Sequence, residues 1–289
     1  MKITAIGTQA DSAAKVDISK VHGGYFSDPE NIERFIEVGI APIVPELPRE
    51  VKYVDFGGGQ GDLALGVKRY LEANGRTVHA IVADANEEYL HIAETKGLEI
   101  NPCNIEETTF SDLDLITMRA ILHYNSPAQQ KLIIKRAFNS LRAGGFLIHQ
   151  NSSGTKANCE LRSALVNIPE LGRAGAGDYC WVSEDEYTFL SKDVGFSNTS
   201  HVDYAKANSW GPEEQWDRFN SEITKRALEE KDEDTFNDIQ KRKKIYLEKA
   251  IELIKQYSKV HTTESLQITR APNGQIEIGY LYPIVVSRK

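Results

Sequence analysis

Two hydrophobic rhythms alternate through the first two-thirds of the chain. Runs at residues 51–56, 78–83, 113–118 and 146–150 are rich in apolar side chains and read as strands, the first of them buried, and 98–103 reads as a weaker strand. Between them apolar positions return every three or four residues, as in Leu63, Leu65, Val67, Tyr70 and Leu71, and over about 86–96 and 127–141. Gly97 and the pair Gly144–Gly145 mark where the last two of these helices stop. Strand–helix alternation with short connections predicts a doubly wound, mostly parallel α/β sheet with right-handed crossovers and helices on both faces.

The flanks follow other patterns. Residues 1–20 show no firm period. From His22 a Gly-Gly turn leads to a helix capped at Ser27 or Asp28, with Pro29 first and Ile32, Phe35, Ile36 and Val38 on its apolar face. Pro42, Pro45 and Pro48 predict an extended link into the first strand. After Gln150 come a helical piece near 160–166, a glycine-rich stretch at 172–177 with the length of a lid, and a helix opened by the capping box of Ser183 and Glu186. A strand follows, through about Tyr204. Residues 208–258 are highly charged, and Phe236, Ile239, Leu247, Ala250, Leu253, Ile254 and Tyr257 form a stripe at helical spacing. They predict one or two appended helices. Packing on the core, capping a pocket and self-association as a homodimer are all roles open to them. Asn273–Gly274 between alternating runs predicts a closing hairpin at the antiparallel edge of the sheet. The resulting division is a lid segment at 1–50, a core at 51–207, a helical cap at 208–260 and a hairpin at 261–289.

The most informative stretch is VKYVDFGGGQG at 51–61. A strand runs into Gly57, Gly58, Gly59 and Gly61, and a helical pattern begins at Asp62. Glycine turns there leave backbone bare to a ligand, at the strand end where open α/β sheets bind. A dinucleotide fingerprint would need glycine at position 62, where Asp62 stands, and no Gly-Lys-Ser/Thr follows for a P-loop. Asp84 ends the second strand, where a carboxylate can accept hydrogen bonds from two ribose hydroxyls.

Asp55-x-Gly57-x-Gly59-x-Gly61 resembles the glycine motif of class I S-adenosylmethionine-dependent methyltransferases. The resemblance covers roughly residues 51–204 and implies a seven-stranded Rossmann-like core. It also implies S-adenosyl-L-methionine as cofactor, released as S-adenosyl-L-homocysteine, with no metal needed. On that match Asp55, Gly57, Gly58, Gly59 and Gly61 cradle the cofactor, Asp84 and Ala85 meet the ribose, Asn104 meets the adenine amino group and Ile105 the ring. Backbone carbonyls at Met118 and Arg119 would hold the ammonium. Residues 113–150 further resemble the Leu-His-Asp-Trp segment and the Leu-x-x-Gly-Gly sequel of small-molecule O-methyltransferases, including the plant phenolic group. There His123 matches a general base, while Tyr124 and Asn125 depart from the pattern, so a pocket or packing role for His123 stays open. Tyr25 and Phe26 either cover the ligand or staple the first helix. Tyr124, His149, Asn151, Tyr179 and Trp181 are the remaining pocket candidates.

Charge and composition narrow the acceptor. The 289 residues carry a net charge of −8 with no isolated basic run, which disfavours nucleic acid. Cys103, Cys159 and Cys180 share no metal or redox spacing, and neither a signal-peptide pattern nor an 18-residue apolar run is present. The expectation is a cytoplasmic enzyme acting on an oxygen or nitrogen of a small molecule. A cofactor-binding protein with no methylation chemistry, and a protein or RNA methyltransferase, are the alternatives.

Overall fold

The computed structural model describes residues 26–172 and 179–289, with the backbone alone for 204–208. Five parallel strands form the centre: β1 (Glu50–Phe56), β2 (Thr77–Asp84), β3 (Glu99–Pro102), β4 (Leu113–Arg119) and β5 (Leu141–Gln150). Three more follow: β6 (Asn198–Trp210), β7 (Ile268–Arg270) and β8 (Ile276–Arg288). The sheet order is β3-β2-β1-β4-β5-β8-β6, with β7 paired to β8 alone, so the count is eight rather than seven. The order reverses between β1 and β4, which opens a crevice at their carboxyl ends. Phe56 lies beside both Ala83 and Met118, and Met118 beside His149, so four strands end level at that crevice.

Side-chain alternation sorts the two faces. Val51 and Tyr53 of β1 join Leu115 and Ile148 in one core, beneath α1 (Pro29–Phe35), α2 (Asp62–Ala73) and α3 (Glu87–Thr95). Val54 and Phe56 join Ile116, Met118 and Leu147 in the other, beneath α4 (Pro127–Ser140) and a later helix at Glu184–Val194. Asp28 caps α1, with Pro29 in its first turn, and both Ser126 and Ser183 form full capping boxes.

A third core lies beyond the sheet. It joins α5 (Lys156–Val166) to α7 (Pro212–Glu229), α8 (Glu233–Tyr257) and the inner face of β8; the helix at Glu184–Val194 is α6. The rings of Trp216 and Tyr246 meet at 5.6 Å, tilted by 42°, where α7 packs on α8. The charged segment is thus two helices packed on each other and joined at 230–232, the second of them seated on α5.

Several local expectations change. The link before β1 is helical: a π turn over Ile36–Ile40 passes into a 3₁₀ turn over Ala41–Glu46 that contains Pro42 and Pro45. Proline's φ suits a 3₁₀ turn, and early in it the missing N–H has no partner to lose. β5 begins at Leu141 rather than 146, because Gly145 lets the strand pass close to the Leu113 carbonyl; a Cβ there would lie 2.9 Å from that oxygen. The closing hairpin is present, turning at 271–275, but β8 lies inside the sheet and β6 forms the edge. Two-sided burial explains why the run at 281–286 is nearly continuous in apolar residues.

Candidate active site

Gly57, Gly59 and Gly61 adopt φ of 63°, 53° and 78°, left-handed values that a Cβ would strain. A Cβ on Gly57 would also lie 2.1 Å from Ile121 Cδ1. The turn is anchored by Gly57 N–H donating to the Ala83 carbonyl at 2.7 Å. The Gly59 N–H donates to Asp84 Oδ2 at 2.9 Å, and Asn86 N–H to Asp84 Oδ1 at 2.8 Å. Asn86 in turn caps α3. The carboxylate of Asp84 therefore stands against the glycine backbone, half-buried at the crevice, and Ala85 beside it is exposed. Ile105 is buried and its Cδ1 approaches the same turn, while Asn104 is half-buried one residue before. These features fit a nucleoside: bare N–H-bearing backbone, an adjacent carboxylate and an apolar side chain for the base.

Asp55 lies underneath. Tyr53 Oη and Thr117 Oγ1 are 2.7 Å apart, and Thr117 Oγ1 donates to Asp55 Oδ1 at 2.6 Å, so the phenol donates to the threonine. Burial raises the Asp55 carboxyl to about 7, against the pull of the Thr117 hydrogen bond and of Arg119. A Cβ on Gly58 would sit 2.7 Å from Asp55 Oδ2. The acid is thus a floor to the glycine turn rather than an exposed ligand.

Met118 and Arg119 part company at the end of β4. Met118 is fully buried in the core under α4, so its side chain does not face the crevice. Arg119 points the other way. Its Nε donates to Gln150 Oε1 at 3.1 Å and its Nη1 to the Phe26 carbonyl at 3.0 Å. Its guanidinium lies 5.1 Å from the ring centroids of both Phe26 and Phe35. Phe26 also meets Tyr282 edge-on at 5.1 Å, which places it over the strand ends. Tyr25 lies outside the described residues.

Ala120 then takes φ 56°, turning the chain so that the next residues cross the strand ends. Ile121 comes to rest on Gly57, and His123 Nδ1 comes to 2.8 Å from Asn151 Oδ1. With an amide oxygen as partner, Nδ1 carries the proton and the lone pair is on Nε2. The imidazole stacks on Trp181 at 5.4 Å and on Tyr179 at 5.7 Å, and packs against Tyr124 at 4.0 Å. The Cys180 N–H donates to the His123 carbonyl, and Gln130 Nε2 reaches the carbonyls of Leu122, Asn125 and Cys180. Five of the pocket candidates and predicted base, His123, Tyr124, Asn151, Tyr179 and Trp181, so meet in one cluster.

His149 does not join it. Its ring is buried and stacks on Tyr187 of α6 at 4.1 Å, under the opposite face of the sheet. Burial, with His201 nearby, lowers its pKa to about 3 and keeps it neutral.

Residues that the sequence reading passed over complete the cluster. Ser152 follows Asn151, and its Oγ accepts from Trp181 Nε1 at 2.7 Å and from Arg162 Nη2 at 3.0 Å. Arg162 is buried between the rings of Trp181 and Tyr280. One signal was available: Arg162 falls on the buried stripe of α5 with Asn158, Leu165 and Val166, a place where arginine is rare. Among the described residues no group of His, Cys, Asp and Glu could hold a metal ion, and no helix is long and apolar enough to cross a membrane.

An open, mostly parallel sheet with a glycine turn after its first strand, answered by an acid at the end of its second, is the arrangement that resembles class I S-adenosylmethionine-dependent methyltransferases. The chain is an enzyme similar to the members of that class, and S-adenosylmethionine is its cofactor. Among curated proteins it resembles the ubiquinone/menaquinone biosynthesis C-methyltransferase UbiE of Rhizobium etli, at 27% identity over 190 residues, 57% of this chain and 72% of that protein. The protein of the same name from Rickettsia prowazekii is 25% identical over 184 residues, 55% and 72% of the two chains. In fold the chain is similar to YcgJ of a Bacillus (TM-score 0.59, 16% identity, 89% of this chain and 98% of that one). A Bacillus halodurans protein gives a TM-score of 0.56 at 16% identity, covering 90% and 99%. No protein-family model matches the chain.

Proposed function

We propose that the enzyme methylates a hydroxylated small molecule and that His123 is its general base. The observation that carries this reading is the contact of His123 Nδ1 with Asn151 Oδ1, within a wall of Tyr124, Tyr179 and Trp181. When bound, S-adenosylmethionine supplies an electrophilic methyl group on positively charged sulfur. The glycine backbone and Asp84 hold its nucleoside portion, with Asn104 and Ile105 at the base and the backbone of Met118 and Arg119 at the amino-acid end. His123 Nε2 removes the acceptor's hydroxyl proton, and Asn151 holds the imidazole in the tautomer that accepts it. Such a base contributes about 10²–10⁴-fold. Fixing the nucleophile against the aromatic wall supplies the larger effect, up to roughly 7–11 kcal/mol.

A second reading concerns the atom methylated. Removing the proton of a phenol leaves an anion shared between oxygen and the ortho ring carbon, so the same base starts both outcomes; methylation at oxygen is then complete, whereas methylation at carbon also needs that carbon's ring proton to leave and the phenol oxygen to regain one. The curated relatives are named as C-methyltransferases, which favours carbon. The motif resemblance to phenolic enzymes favours oxygen, and a nitrogen acceptor would need the base least. The helical pair α7 and α8 acts as a cap over α5 and shapes the acceptor side, and three cysteines without metal or redox spacing suit a cytoplasmic setting. Incubating the protein with S-adenosylmethionine and a panel of phenols, then assigning products by mass and by carbon–proton correlation NMR, tests the proposal. Cofactor binding without S-adenosylhomocysteine formation on any acceptor would leave a binding protein instead.

A further inference from the structure

Arg162 presents an unusual charge problem. Its side chain is 1% exposed, and its guanidinium carbon lies 4.6 Å from the centroid of Trp181 and 4.3 Å from that of Tyr280. Nη2 donates to Ser152 Oγ, whereas Nε and Nη1 are buried without a hydrogen-bond partner. The groups that act on its charge are the Cys159 thiol, the phenols of Tyr280 and Tyr282, and a second cation, Arg218. Burial pushes the thiol up to about 11 and the Tyr280 phenol above its ordinary range, so neither supplies a negative charge at neutral pH. Desolvation pulls Arg162 itself down to about 10, still protonated at pH 7. Among the described residues no anion stands beside this buried cation, which is unfavourable, and donors without partners add to that.

Position gives this charge a purpose. Trp181 is shared: one contact is with His123, the other with Arg162. Asn151 holds His123 and the next residue, Ser152, holds both Arg162 and Trp181, so one turn after β5 sets base and cation together. Rings on either side of the guanidinium leave its edge as the place for a partner. A planar carboxylate matches the planar guanidinium, two oxygens facing its fork of N–H donors.

We propose that Arg162 anchors a carboxylate carried by the methyl acceptor, so that the substrate class is hydroxylated small molecules bearing one carboxylate. This inference rests on the methyl-transfer reading above.

The test is calorimetric and needs no turnover. The S-adenosylhomocysteine-loaded protein is titrated with 3,4-dihydroxybenzoate and with its methyl ester, which removes the charge and adds one methyl group. The native protein is expected to bind the carboxylate at least tenfold more tightly, and the carboxylate to raise its melting temperature. Arg162→Met should reduce that preference to under threefold and leave S-adenosylhomocysteine affinity within twofold. Arg162→Lys keeps the charge without the fork; it should retain an intermediate preference, and it serves if the methionine variant does not fold. Equal binding of the two probes, binding of neither, or an undiminished preference in both variants overturns the assignment. Loss of S-adenosylhomocysteine affinity in Arg162→Met also overturns it, by giving the cation to the cofactor's own carboxylate. Absence of any heat from S-adenosylhomocysteine in the native protein would instead overturn the methyl-transfer reading beneath it.

Discussion

His123 and Asn151 stand 28 positions apart and meet at 2.8 Å, imidazole Nδ1 against amide Oδ1. The contact exists because β4 and β5 run parallel with Arg119 beside Gln150, so the residues just past each strand emerge side by side. If the imidazole is the base, His123→Ala lowers kcat by about 10²–10⁴-fold and leaves cofactor affinity nearly unchanged. Asn151→Ala frees the tautomer and should lower kcat less, with a shift in the pH–rate profile that His123→Ala lacks. Steady-state kinetics against pH, beside calorimetry with S-adenosylhomocysteine, checks both. Equal loss of turnover and affinity would make the histidine architectural.

Gly57→Ala meets two obstacles, the left-handed φ of 63° and the Ile121 side chain. It should lower stability by about 1–2 kcal/mol from backbone strain alone and reduce S-adenosylmethionine affinity more than tenfold. Adding Ile121→Ala relieves the collision and should recover part of the melting temperature. Full recovery of stability and of affinity in that double variant would show that φ at this position is unimportant.

Asp55 couples stability to pH. Its carboxyl is raised from 3.8 to about 7 by burial, so between those values the native state holds a proton that the unfolded chain has lost. Stability attributable to this group therefore falls as pH rises from about 4 to 7. Asp55→Asn removes the ionisation. Relative to the native protein it should gain roughly 2–4 kcal/mol on going from pH 4 to pH 8, read from urea unfolding at the two values. A difference independent of pH would mean that the carboxylate is not desolvated.

His149 acts with the opposite sign. Its pKa falls from 6.5 to about 3, so below pH 6.5 the unfolded chain binds a proton that the native state excludes, and stability is lost as pH falls. His149→Phe preserves a ring against Tyr187 while removing the titration. Compared with the native protein, the variant should be about 2 kcal/mol more resistant at pH 5 than at pH 8. Unchanged acid sensitivity would place the responsible group elsewhere.

Much of the molecule was legible along the chain because its rules are local. The glycine turn, the acid at 84, the caps at Asp28 and Ser183 and the alternation that sets five parallel strands each depend on neighbours within a few positions. A hairpin at 271–275 was legible for the same reason, but not its insertion between β5 and β6. That choice depends on which edge of the sheet was left open, a matter of strands far apart in sequence. A helical stripe over 236–257 was visible and left one or two helices open; what the stripe covers was not legible, since its partners on α5 and β8 lie across the chain.

The amino-acid order by itself determined the periodicity, the parallel core and the crevice with its cofactor, because hydrophobic period, glycine conformation and capping act over one or two turns of chain. Only the tertiary structure decided which polar side chains share a chamber. It sent His149 under Tyr187, set His123 against Asn151, and enclosed Arg162 between Trp181 and Tyr280. Strand register and the packing of distant helices choose those neighbours, and burial then raises or lowers their charges; neither quantity has a value until the chain has folded.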